Sequence, residues 1–141
     1  MSSLPSSSST TEKFPLRRWS RLLLLPALLV APGMALHQLT ESIDYRWPLI
    51  GAVAISLFTF MAYAADKARA KSAEWRVPEL TLHGLELIGG WPGAYLAQWV
   101  FRHKSSKFSY QLVFWLIVGL HQLVTIDYVL GWAMTKSLLG R

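Results

Sequence analysis

Two long stretches of this sequence contain no charged side chain, and they constrain the fold more than any other feature. Neither Trp47 to Ala65 nor Phe108 to Ile126 contains an Asp, Glu, Lys or Arg residue. A helix of about 20 apolar residues crosses the roughly 30 Å hydrocarbon core of a bilayer. A soluble helix of this length would carry a polar face, so a globular helical protein with an apolar core is the less favoured alternative. The pattern predicts an integral membrane protein.

The composition agrees with this interpretation. Of the 141 residues, 52% are hydrophobic and 16% are charged, whereas soluble domains carry about 25% charged residues. The apolar residues gather in four stretches, Leu22 to Leu39, Trp47 to Ala65, Leu80 to Phe101 and Phe108 to Met134. We therefore expect an all-α integral membrane fold, with three transmembrane helices and a fourth hydrophobic segment that is broken. It forms one helical domain over residues 14–141, and residues 1–13, rich in serine, are predicted to be a disordered tail.

The basic residues predict the orientation of the helices. Several of them precede the first apolar stretch, which places the N-terminus in the cytoplasm by the positive-inside rule. The loop at 66–79 holds four basic residues and the loop at 40–46 holds one, so the second helix returns to the cytoplasmic side. A signal peptide cleaved near the small residues Gly33 and Ala35 is the alternative interpretation of the first stretch.

The third stretch, Leu80 to Phe101, is interrupted near its middle. The residues that form the break are Gly89, Gly90, Pro92 and Gly93. Glycine commonly ends a helix and proline suits the first turn of a new one. A full crossing would also put the basic residues of 102–107 outside, against the positive-inside rule. We expect a re-entrant hairpin with both ends in the cytoplasm, after which the last stretch crosses outward; the alternative is a kinked helix that crosses.

Ionisable residues inside an apolar segment are the candidates for chemistry. Glu79, His83 and Glu86 are spaced by four and three residues, which places them on one face of a helix. Such groups are costly in a membrane unless they are paired or hydrated. Glu79 and His83, with Asp66 at the end of the second helix, are therefore candidates for general acid or base catalysis. In the structural alternative, the carboxylates only pair with nearby Arg or Lys side chains and hold the hairpin in place.

The basic residues beside the membrane suggest a second kind of site. A dense cluster of this type attracts anionic lipid headgroups and can hold a phosphate, although it can also do no more than set orientation. The candidates for anion or lipid binding are Lys67, Arg76, Trp91, Arg102, His103, Lys104 and Lys107. Because the net charge of +6 is carried by these short flanking segments, no specific nucleic-acid partner is predicted.

Other classes of site find no support in the sequence. The chain has no cysteine, which excludes disulfides, thiolate nucleophiles and zinc-cysteine sites. There is no catalytic triad motif, phosphate-cradling loop or dinucleotide fingerprint. No metal and no cofactor is predicted, and the sequence does not decide whether the chain is an enzyme.

Short motifs along the centre of the chain resemble a known family. They include Asp66-Lys67, Trp75 to Glu79, Gly89 to Ala94, Gln98, Arg102 to Lys104 and Ser109 to Gln111, in this order. Residues 63–115 resemble the bacterial membrane family catalogued as domain of unknown function 1294, often fused behind a cold-shock domain. The resemblance implies a multi-pass bacterial inner-membrane protein with no established activity. The N-terminal tail lacks the aromatic strands of a cold-shock domain, so the resemblance carries no link to RNA here.

These observations lead to three functional hypotheses. The first is a membrane protein that binds an anionic lipid headgroup or a small anion at the basic cluster on the cytoplasmic edge, with membrane lipids as its partners. The second is a membrane enzyme that acts on a lipid headgroup, with His83 or Glu79 as the acid or base. The third is a small transporter or channel subunit, in which a homo-oligomer encloses the pathway.

Overall fold

The structure is a computed structural model, and it describes residues 16–40, 43–72, 75, 77–102 and 104–140. Side chains are described from residue 22 onward. The tail predicted at residues 1–13 lies outside the described residues, as do the candidate site residues Arg76 and His103.

All regular elements of the described residues are helical. The α-helices are α1 (Leu16–Leu39), α2 (Arg46–Lys71), α3 (Glu79–Leu85), α4 (Trp91–Phe101), α5 (Phe108–Val129) and α6 (Ala133–Leu138). Three of them, α1, α2 and α5, are long and apolar enough to cross a membrane, and most of their side chains lie outside the protein interior. This confirms the prediction of an all-helical fold with three helices of that kind.

Helix α5 is shorter than the apolar stretch from Phe108 to Met134 predicts. It ends at Val129, and the chain turns at Gly131 and Trp132, both of which have positive φ. Asp127 fixes this turn, because its Oδ1 accepts a 2.8 Å hydrogen bond from the backbone of Met134 at the start of α6. Hydropathy cannot show this end of the helix, since it depends on a capping carboxylate and a glycine rather than on polarity.

The long helices alternate in direction. The Gln38 side chain donates to the Val129 carbonyl at 3.2 Å, so the C-terminal ends of α1 and α5 lie together. At the opposite end, the C-terminal part of α2 meets the start of α5, where the rings of Tyr63 and Tyr110 pack edge to face with their centroids 6.3 Å apart. Helices α1 and α5 therefore run in one direction and α2 in the other. We call the end of the bundle formed by the C-terminus of α2 and the start of α5 the charged end.

The segment from Glu79 to Phe101 runs halfway along α2 and returns. It begins at the charged end, where Lys107 binds Glu79. It turns where Gly90 packs against Thr59, in the middle of α2. It finishes at the charged end again, where Lys67 donates a hydrogen bond to the Phe101 carbonyl. Helices α3 and α4, joined by the π-helical turn Glu86–Gly90, thus form a hairpin against α2.

Glycine makes both the turn and the close packing of this hairpin possible. Gly89 has φ 117°, a backbone angle that residues with a side chain rarely adopt. A Cβ atom on Gly93 would lie 1.8 Å from the carbonyl oxygen of Ser56, so the backbones of α4 and α2 are in direct contact. Pro92 lies in the first turn of α4. Backbone N–H groups there have no partner within the helix, so the missing N–H of proline costs no hydrogen bond.

The core lies between α2, the hairpin and α5. Its largest fully buried side chains are Tyr63 on α2, Leu82 on α3, and Tyr110 and Phe114 on α5. This arrangement places several polar atoms inside the protein, and their partners define the candidate site.

Candidate functional site

A buried carboxylate lies at the centre of a polar network in the core. Glu86 is fully buried, and its Oε1 accepts hydrogen bonds from the hydroxyls of Tyr63 and Tyr110, the second at 3.0 Å. Its Oε2 lies 2.7 Å from Nδ1 of His83. Burying a carboxylate is expensive unless hydrogen bonds and a charge partner satisfy it. Here both oxygens are satisfied by side chains from α2, α3 and α5.

The network continues outward through two glutamines. Gln98 on α4 donates a 3.2 Å hydrogen bond to the Tyr63 hydroxyl. Gln111 on α5 donates to Oε1 of Gln98 at 2.6 Å and to the Lys104 carbonyl at 3.1 Å. Because the Gln98 amide donates to Tyr63 and Tyr63 donates to Glu86, the donors along this path point toward the carboxylate.

His83 is the more exposed member of its pair with Glu86. Its side chain is 14% exposed, whereas that of Glu86 is inaccessible. The imidazole stacks on the Tyr110 ring, with the ring centroids 4.2 Å apart and the planes 28° from parallel. Its orientation is therefore fixed on one side by a carboxylate and on its face by an aromatic ring.

Lys104 lies between two carboxylates at the charged end. Its Nζ is 3.4 Å from Oδ2 of Asp66 and 3.6 Å from Oε1 of Glu79. It also lies 5.0 Å from the centroid of the Tyr110 ring, which adds a cation–π contact. Asp66 is fully buried, and its Oδ1 accepts a 3.1 Å hydrogen bond from the backbone of Val77. Lys104 thus connects the polar network to the surface.

Glu79 pairs with a second lysine nearer to solvent. The Nζ of Lys107 lies 2.8 and 2.9 Å from the two carboxylate oxygens of Glu79. The hydrogen bond from Lys107, with a further contribution from Lys104, lowers the pKa of Glu79 below its ordinary value. The Glu79 side chain is therefore ionised at neutral pH.

An open cleft lies above these charges. It encloses about 490 Å³ and is lined by Asp66, Trp75, Val77, Pro78, Glu79 and Lys104. Trp75 is 84% exposed, so its ring is available at the mouth of the cleft. The cleft offers ions of both signs and an aromatic surface.

The other basic side chains of the charged end differ in their partners. Lys67 donates a hydrogen bond to the Phe101 carbonyl and lies over the Phe101 ring. It therefore caps the C-terminus of α4. Arg102 follows α4 in a left-handed conformation and is exposed. Within the described part of the chain Arg102 forms no ion pair.

The comparisons with known proteins point to one family. Residues 56–110 match the family model DUF1294, described as a protein of unknown function. This confirms the family resemblance. The match runs from the middle of α2 through the hairpin to the first turn of α5, so it includes Tyr63, Glu86 and Tyr110. No curated protein and no solved structure matches the chain.

The predicted site residues that the structure describes in the matched segment do not all lie together. The structure brings together Asp66, Glu79, Lys104 and Lys107. Trp91 is 3% exposed and belongs to the core at the opposite end of α4. Since α4 has 11 residues and a helix rises 1.5 Å per residue, roughly 16 Å separates Trp91 from Arg102 along the axis.

Sequence reasoning missed the tyrosines and glutamines of the network. Tyr63, Gln98 and Tyr110 lie in apolar stretches, where single polar residues are easily assigned to helix packing. Gln98 and Tyr110 belong to the motifs that resemble DUF1294, and this signal could have identified them. No group of three or more His, Cys, Asp or Glu side chains in the described ranges could hold a metal ion.

Proposed function

We propose that this chain is a multi-pass protein of the bacterial inner membrane that binds the phosphate of a lipid headgroup at its charged end. The observation that carries the proposal is the position of Arg102, exposed and without an ion pair among the described residues, two residues before the lysine that lines the cleft. A guanidinium presents two donors to a phosphate. Inorganic phosphate shares this chemistry, and the experiment below separates the two.

The outward faces of the long helices support placement in a bilayer. Large apolar side chains on them are more than half exposed, for example Phe58 at 63%, Leu116 at 65% and Leu123 at 59%. A water-soluble protein rarely exposes apolar surface on this scale. In a membrane the same side chains contact lipid.

The hairpin supports the expected re-entrant segment over the alternative of a full crossing. Glu79 and Phe101 both lie at the charged end, so the segment between them enters and leaves on one side. The irregular backbone at Gly89 and Gly90 packs against α2, as non-helical backbone inside a membrane must. The positive-inside rule then assigns the charged end, together with the N-terminus, to the cytoplasm.

Reporter fusions test this topology. Reporters fused after Arg69 and after Lys107 should both report cytoplasm, and one fused after Arg141 should report the outside. An external signal at Lys107 would contradict the re-entrant hairpin and favour a segment that crosses.

Lipid retention tests the binding proposal. The purified wild-type protein should retain phospholipid that mass spectrometry detects, and Arg102→Ala should lose most of it without a change in melting temperature. Lys136→Ala, in α6 at the opposite end of the bundle, is the matched control and should retain as much lipid as wild type. Inorganic phosphate added to the delipidated wild type should bind in calorimetry only if the site accepts free phosphate. Equal retention by Arg102→Ala and wild type would contradict the proposal.

The His83 and Glu86 pair favours a second candidate, a membrane enzyme acting on a lipid headgroup. A histidine oriented by a buried carboxylate at 2.7 Å is an arrangement that transfers protons. If the chain is such an enzyme, isotope-labelled phospholipid vesicles should yield a changed headgroup with wild-type protein and not with His83→Gln. The same variant should still retain lipid, because His83 lies outside the phosphate-binding cluster. No change of any headgroup by the wild type would remove this candidate.

A further inference from the structure

The described lining of the cleft at the charged end holds more negative than positive side chains, which disfavours a purely anionic ligand. Its described lining contributes two carboxylates, Asp66 and Glu79, and one ammonium, Lys104. A headgroup with only negative charge would bring like charge toward both carboxylates, which lowers affinity. A headgroup that carries a positive group as well as a phosphate meets the opposite charge at both of its ends.

The Lys104 ammonium can donate a hydrogen bond to a phosphate. Its Nζ lies 3.4 and 3.6 Å from its two carboxylate partners, beyond the usual 2.7 to 3.2 Å of a good N–H···O hydrogen bond. The ammonium is held by charge rather than by a close hydrogen bond to either carboxylate. A phosphate oxygen at the cleft can therefore take a direct hydrogen bond from Lys104 while both carboxylates stay near.

Trp75 and Glu79 can bind a positively charged group in the cleft. The Trp75 ring is exposed in the same cleft, and a tryptophan face attracts ammonium groups. The Glu79 side chain is 42% exposed and ionised, since the hydrogen bond from Lys107 lowers its pKa. Each carboxylate oxygen has a second lone pair, so Glu79 can accept from a ligand N–H while it keeps Lys107.

We propose that the cleft selects a zwitterionic phosphoethanolamine headgroup, with its phosphate on Lys104 and its primary ammonium between Trp75 and Glu79. A primary ammonium fits better than a trimethylated one because only its N–H groups can donate to the carboxylate. The volume of about 490 Å³ lies within the range of roughly 300 to 1,000 Å³ for small-ligand sites. This inference rests on the proposed function and names its ligand.

Competition among three lipids tests the selection. Wild-type protein is equilibrated with vesicles of equal parts phosphatidylethanolamine, phosphatidylglycerol and phosphatidylcholine, repurified, and its retained lipids are counted by mass spectrometry. We expect phosphatidylethanolamine to exceed each of the other two at least threefold. Water-soluble glycerophosphoethanolamine should displace it, and inorganic phosphate at equal concentration should displace less.

Two variants and two controls identify the residues responsible. Glu79→Gln and Trp75→Ala should bring the ratio of phosphatidylethanolamine to phosphatidylglycerol close to one. Their matched controls at the opposite end, Asp44→Asn and Trp47→Ala, should keep the wild-type ratio. Melting temperatures verify that each variant is folded.

The outcomes separate this inference from the proposed function. If wild type retains phosphatidylglycerol at least as well, or if Glu79→Gln leaves the ratio unchanged, the selection is wrong. Arg102→Ala would still lower total retained lipid in that case, and the proposed function would stand. If Arg102→Ala and wild type retain the same total, the proposed function fails.

Discussion

The side-chain amide of Gln122 on α5 donates a 2.8 Å hydrogen bond to the backbone carbonyl of Leu28 on α1. In a regular helix the N–H of the residue four positions later would bond this carbonyl, but that residue is Pro32, which has no N–H. Gln122 therefore replaces the donor that proline removes. The contact stabilises the proline-containing helix and fixes its position against α5.

We predict that Gln122→Leu destabilises the protein by about 1 to 3 kcal/mol, because it leaves a partly buried carbonyl without a donor. In the Pro32→Ala background the helix supplies its own N–H, so the same substitution should have a smaller effect. Reversible unfolding of the four proteins in mixed micelles gives the coupling free energy of this double-mutant cycle. A coupling energy near zero would show that the hydrogen bond does not depend on the proline.

The contact between α2 and α4 predicts opposite results at two glycines. Gly93→Ala would place a methyl group 1.8 Å from the backbone of Ser56, so we expect loss of folded protein on size-exclusion chromatography. Gly84→Ala meets no atom within 4 Å and should stabilise α3 by up to about 1 kcal/mol, because alanine is the better helix former. Wild-type yield of Gly93→Ala would contradict the close contact of the two backbones.

The two basic residues that follow α4 should differ in their effect on stability. Lys104→Ala removes a cation from the fully buried Asp66. Because Asp66 keeps its hydrogen bond from Val77, we expect a loss of about 1 to 3 kcal/mol rather than more. Arg102→Ala changes an exposed side chain and should stay within about 0.5 kcal/mol. Adding Asp66→Asn to Lys104→Ala should recover part of the loss; a further loss instead would show that Lys104 does not stabilise the Asp66 charge.

The lowered pKa of Glu79 predicts a dependence of stability on pH. Because the folded protein holds this pKa below the ordinary value of 4.5, the pairing with Lys107 and Lys104 contributes fully above that pH. The contribution decreases as the pH falls through 4.5 toward the lowered pKa. The side chain is 42% exposed, so the effect should not exceed about 1 kcal/mol.

Unfolding of wild type and Glu79→Gln at several pH values measures this contribution. Wild type should be the more stable of the two at neutral pH, and the difference should vanish in acid. A difference that grows as the pH falls would contradict a lowered pKa of Glu79 in the folded protein.

The sequence predicts the parts of this structure that depend on local composition. The charge-free runs after Trp47 and Phe108 predict two of the long helices, because a span needs only length and apolarity. The break at Gly89 and Pro92 follows from residues with restricted or unusual backbone angles. The end of α5 at Val129 does not follow from hydropathy, since uncharged residues continue from Val129 to Met134.

The candidate site could be predicted only in part, and for the same reason. Asp66, Glu79 and Lys104 lie next to the ends of apolar stretches in the sequence, which predicts that they are near one another at one end of the helices. The contacts of Glu86 with Tyr63 and Tyr110 join residues separated by 23 and 24 positions. Such pairs depend on how the helices pack, and a single sequence does not record that packing.

The partners of Glu86 have a consequence for the order in which the protein assembles. The hairpin emerges from the ribosome before α5, yet Tyr110 and Gln111, which complete its polar network, belong to α5. Until α5 is in place, the buried carboxylate lacks one of its donors, and a buried polar group without its hydrogen bonds is destabilising. We therefore expect the hairpin to reach its final position only together with α5. Chains truncated before residue 108 should then be degraded by membrane proteases faster than the full-length chain.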